Sequence, residues 1–99
     1  MIKVNFSREA DQYRVDVKDH SDEIVCAGVS ALLQAFVGYA ANFAEKIEYQ
    51  LLPGDSYVEC KGGLDISHAF EMLKIGVKQI ELGYPGSITI IDTFVKNGS

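Results

Sequence analysis

From Ile24 to Ala44 the chain carries no charged residue, and this run limits the possible folds more than any other stretch. As a helix it is long enough to cross a bilayer. Yet Ser30, Gln34 and Asn42 interrupt it, and both flanks are acidic and alternate polar with apolar residues. A helix apolar on most sides also suits the centre of a soluble fold, so the run reads as a buried helix and no membrane partner is expected. Val25, Val29, Leu32, Phe36 and Phe43 follow helical spacing and should pack on a sheet. Ala27, Gly28, Ala31, Ala35, Gly38, Ala40 and Ala41 keep the helix thin, so other elements or a second subunit can approach closely.

The remaining segments supply that sheet. Ile2, Val4 and Phe6 alternate with Lys3 and Asn5, and Tyr13, Val15 and Val17 alternate with Arg14, Asp16 and Lys18. Two half-buried strands follow, joined by the polar stretch Ser7 to Gln12. Ile47, Tyr49 and Leu51 alternate again, Pro53-Gly54-Asp55 makes a turn, and Ser56 to Cys60 returns as partner strand. After Gly62-Gly63, Asp65 is the expected N-cap of a second helix with Ile66, Ala69, Phe70, Leu73, Val77 and Ile80 in one stripe. Glu71, Lys74, Lys78 and Glu81 form its solvated face, and Gly83 and Pro85 end it. Ser87 to Val95 is apolar enough for a central strand, and Lys96 to Ser99 should be a loose tail. The expected architecture is α+β in the order ββαββαβ: two layers, a five-stranded mainly antiparallel sheet with two helices on one face.

At 99 residues the chain makes one domain, spanning 1–99. A net charge of −5 without blocks of like charge argues against a general nucleic-acid binder, which needs a basic face. Cys26 and Cys60 stand far apart, with no Cys-x-x-Cys and no Cys/His cluster, so neither a zinc site nor an organic cofactor is called for. Nothing suggests a secreted scaffold, and Met1 to Phe6 lacks a signal-peptide core, so the expected location is the cytosol.

Two residues carry the best chemistry. Cys26 falls in the first turn of the long helix, where backbone N–H groups and the helix dipole favour a thiolate. His20 lies six residues earlier, on the connector between strand and helix, and can fold back over the cysteine. Such a pair is the minimum for thiol nucleophilic catalysis, although cysteine is also among the most buried residue types. Elsewhere the readings are plainer. His68 is expected on a solvated helix face, Cys60 in or beside the core, and Tyr39, Tyr49 and Tyr57 in core and rim packing. Gly62-Gly63 lacks the Lys-Ser/Thr of a phosphate loop.

The run Asp22-Glu23-Ile24-Val25-Cys26-Ala27-Gly28-Val29-Ser30-Ala31-Leu32, with His20 upstream, resembles the ribosomal-processing cysteine protease family Prp. Its members share Gly-His, a loop, then Asp-Ile-Val-Cys-Ala-(Ala/Gly)-x-Ser-Ala. The resemblance implies a homodimeric cysteine endopeptidase that removes a basic N-terminal extension from a large-subunit ribosomal protein. Among phage relatives it implies a capsid-type substrate instead. Cys26 is then the nucleophile and His20 its base, with Ser30, Asp22 and Glu23 in support. Three departures stand out: the His–Cys step is shorter than the family's glycine-bearing loop, Asp19 replaces the glycine before the histidine, and Glu23 replaces the aspartate before the cysteine. They define an alternative, a non-catalytic dimeric binding protein that retains the protease fold.

Overall fold

The computed structural model describes residues 1–95, so the expected tail lies outside the described residues. The element order is β1 (Ile2–Glu9), β2 (Gln12–Lys18), α1 (Glu23–Phe43), β3 (Lys46–Leu52), β4 (Asp55–Lys61), α2 (Leu64–Gly83) and β5 (Ile88–Val95), the expected ββαββαβ. In the sheet the strands lie β3-β4-β2-β1-β5, with every neighbour antiparallel except the parallel pair β1–β5. The first hairpin is tighter than the polar stretch Ser7 to Gln12 suggested. β1 continues to Glu9, and only Ala10 and Asp11 turn, with Ala10 in the left-handed region at φ 54°. β5 is an edge strand rather than a central one. Its apolar character is spent on the helix side, where Ile88 is buried and Ile90 packs on the core, while Ile91 stays half exposed on the other face.

Alternation divides the sheet cleanly. Val4, Phe6, Tyr13, Val15, Val58 and Cys60 are buried beneath the helices. The opposite face is polar: Arg14 donates to Asp16 at 3.0 Å, reaches Glu59 at 3.5 Å, and lies 4.6 Å above the Tyr57 ring. At the centre of the core Phe70 of α2 meets Phe6, Tyr13 and Phe36 with ring centroids 5.7, 5.1 and 6.2 Å away.

Although α1 is long and apolar enough to cross a membrane, here it buries a stripe against the sheet and α2. That stripe is Val25, Val29, Leu33, Phe36, Val37 and Ala40. Leu32 and Phe43, expected in it, are elsewhere. Phe43 is exposed and stacks on Tyr39 at 4.7 Å, and Leu32 turns toward α2. The two helices run antiparallel and touch through reciprocal glycines. A Cβ at Gly76 would lie 2.8 Å from Leu32 Cδ1, and one at Gly28 would lie 3.0 Å from Ile80 Cδ1. Each large side chain fills the space that the opposite glycine leaves.

The stripe expected on α2 is the one observed, with Ser67 buried beside it. Its N-cap is Gly63, not Asp65, and no side chain caps the helix. Gly62 packs closely on Ile66, and Asp65 sits in the first turn, where its charge suits the dipole. Lys74 is also less solvated than expected. Its side chain is 12% exposed, lies over the Phe6 and Phe70 rings, and pairs with Asp92 at 3.0 Å.

Candidate active site

Four residues, Asp19 to Asp22, connect β2 to α1. Asp19 turns the chain sharply in the left-handed region at φ 69°, which Asp tolerates better than most residues. Its N–H donates to the Gly54 carbonyl at 3.0 Å and its carboxylate pairs with Lys3 at 3.5 Å. The His20 carbonyl accepts from the Met1 amino nitrogen at 2.8 Å. The imidazole therefore lies on the tip of the β3–β4 hairpin, directly on Gly54. Pro53 and Gly54 fill the central positions of that turn, with Gly54 at φ 72°. A Cβ on Gly54 would come within 2.4 Å of His20 Nε2, so the backbone shape favours glycine and any side chain there would displace the imidazole.

Asp22 is the N-cap of α1, accepting from the Val25 N–H at 2.9 Å. The Cys26 N–H donates to the Asp22 carbonyl at 3.0 Å, so it is not a free helix-end donor. The donor to sulfur is Ser21, whose backbone N–H reaches Cys26 Sγ at 3.3 Å, while the thiol reaches the Ser21 carbonyl at 3.4 Å. That N–H suits the ionised sulfur and that carbonyl suits the neutral thiol. No hydrogen bond joins His20 to Cys26 among the described residues.

Cys26 and His20 line one cleft of about 320 Å³ at the head of α1. Ser30, one turn after Cys26, and Gln34 after it add polar groups. Ile2, Val17, Val29 and Leu33 give the cleft an apolar lining, and the hairpin tip from Leu51 to Ser56 forms a wall. Asp19 and Asp55 stand at its rim, paired with Lys3 and Lys18. Asp22 and Glu23 are not in the lining: Asp22 caps the helix and Glu23 is exposed in its first turn. The other candidates are remote from it. Cys60 is buried between β2 and β3, and desolvation pushes its pKa up to about 11. His68 is exposed on α2, at a groove shared with Tyr39 of α1. No group of three His, Cys, Asp or Glu among the described residues is arranged to hold a metal. Sequence reasoning missed the hairpin tip and the Ser21 amide. Pro53-Gly54 signalled a turn, but nothing local could say what that turn would touch.

The fold is shared with several solved proteins. One is the ribosomal processing protease Prp of S. aureus with a covalently linked product peptide: TM-score 0.78, 21% identity, 93% of this chain and 99% of that one. The same protease with a substrate peptide gives a TM-score of 0.73 at 18% identity, again over 93% and 99%. SMU.848 from Streptococcus mutans matches at a TM-score of 0.73 and 21% identity, over 96% of this chain and 99% of that one. No curated protein matches the sequence significantly. The family model for cysteine protease Prp, however, matches residues 1–89, which include β1 to α2 and every residue of the cleft. By that match, and with the fold to accompany it, the chain belongs to the cysteine protease Prp family.

Proposed function

We propose that the protein is a cytosolic endopeptidase that removes a basic N-terminal extension from a large-subunit ribosomal protein, with Cys26 as nucleophile and His20 as base. The observation that carries this is that Cys26 and His20 both line one cleft at the start of α1. His20 takes the thiol proton, and the thiolate attacks the scissile carbonyl. The C–N bond breaks as the imidazolium returns its proton to the leaving amine, and water then hydrolyses the thioester. The Ser21 N–H holds the thiolate, and Ser30 offers a hydroxyl beside it. The peptides bound to S. aureus Prp, one covalently, support a peptide substrate for a fold of this shape. A net charge of −5 suits a basic extension. A capsid-type protein is the corresponding substrate if the chain acts in a phage. In a reconstituted reaction the precursor should be cleaved, Cys26→Ala should abolish cleavage, and His20→Ala should slow it by about a hundredfold or more. Unchanged processing by Cys26→Ala would sink the proposal.

One observation favours the second reading, a non-catalytic dimeric binding protein: the missing hydrogen bond between His20 and Cys26. Catalytic hydrogen bonds often tighten only when substrate binds, so the test must be chemical. Alkylation near neutral pH reports Cys26 alone, because Cys60 is buried and protonated there. The protease reading expects fast alkylation that His20→Ala slows; a rate no faster than that of a free thiol supports the binding protein.

A further inference from the structure

We infer that the open edge of β3 is the docking strand for the substrate chain, which adds to the sheet there and is led into the cleft. The inference rests on the protease reading and supplies its mode of substrate binding. It begins with the register. Leu52 and Asp55 close the β3–β4 hairpin, so Gln50, Glu48 and Lys46 direct their backbone groups toward β4. The β1–β2 hairpin, closed by Glu9 and Gln12, gives the same parity when followed through β2 and β4. Ile47, Tyr49 and Leu51 therefore present their N–H and C=O groups to the open edge, at the alternate spacing an added strand needs.

Three further observations select a substrate as the occupant. First, the edge is continuous with the cleft, because Leu51 and Leu52 at its end belong to the cleft wall. β5, the other edge strand, contributes no residue to that lining. Second, the charges that usually guard an edge, Lys46 and Glu48, lie at the far end, and Tyr49 to Leu52 next to the cleft are uncharged. Third, Tyr49 and Leu51 are 51% and 38% exposed, leaving apolar surface to flank alternate side chains of an incoming strand.

Backbone amide exchange by NMR tests this, using Cys26→Ala protein and a synthetic peptide spanning the junction between the extension and the mature ribosomal protein. On saturation with peptide, exchange at Ile47, Tyr49 and Leu51 should slow by about tenfold or more, while the β4-facing amides of Glu48 and Gln50 should change little. Tyr49→Pro removes only an outward N–H, which an edge strand tolerates, and should weaken peptide binding about tenfold where Tyr49→Ala weakens it less. Three results overturn the inference: no peptide-dependent protection, protection at β5 or the helices instead, or protection that rises with protein concentration before peptide is added. The last would put a second copy on the edge. The protease reading fails separately, on whether the wild-type protein cleaves the precursor.

Discussion

Asp19 occupies a left-handed backbone conformation at the position where the family motif carries glycine. Glycine would adopt this conformation most cheaply. A non-glycine residue in this region costs about 1–2 kcal/mol, less for Asp than for a β-branched residue. The compensating pair with Lys3 joins two exposed side chains and contributes well under about 1 kcal/mol. Asp19→Gly should therefore leave stability unchanged or raise it by up to about 1 kcal/mol, with cleavage retained. Asp19→Val should lower stability by about 1–2 kcal/mol and loosen the connector that holds His20. Urea unfolding of the two variants measures both.

Among the elements, α1 decides the site because its first turn carries Cys26 and its cap fixes the connector. Asp22→Ala should cost about 1 kcal/mol in chemical unfolding, and Asp22→Asn, which still accepts from the Val25 N–H, should recover most of it. If Asp22 is only a cap, Asn also restores cleavage; a carboxylate needed in the chemistry would leave Asp22→Asn inactive. The order of elements was legible because alternation and helical spacing are local signals, and the stripe of α2 was correctly read from them. What required partners was not. The uncharged run of α1 offers apolar residues all round, so periodicity alone could not tell that Leu33 faces the core and Leu32 faces Gly76. The same limit put β5 at the centre, since an apolar strand covered by a helix resembles a strand flanked on both sides. Cys26 and His20 stand out in the sequence by their place at the start of the long helix and by the motif around Cys26. Gly54 was not connected with them, because that contact spans thirty-four residues of sequence and exists only once the hairpin has folded.

Across the whole molecule the outward side of the helix layer is the least finished surface. Leu64, Met72, Ile75 and Leu82 recur at helical spacing along α2 and are each more than half exposed. Beside them α1 presents Ala31, Ala35 and Tyr39, small or flat enough for close approach. Apolar surface of this kind marks an interface, and the homodimer implied by the family resemblance would cover it. Light scattering should give twice the mass of the 10.9 kDa chain, and Met72→Asp combined with Ile75→Asp should return it to a monomer. Monomer at all concentrations in the unmodified protein would leave the face to another partner. Inside the layer, the opposed glycines have a mechanical consequence. With Leu32 seated against Gly76 and Ile80 against Gly28, sliding one helix along the other would press each side chain toward the neighbouring, bulkier positions of the facing helix. The seating therefore resists axial movement of the helix that carries Cys26, whereas the connector and the hairpin tip beside it have no such interlock.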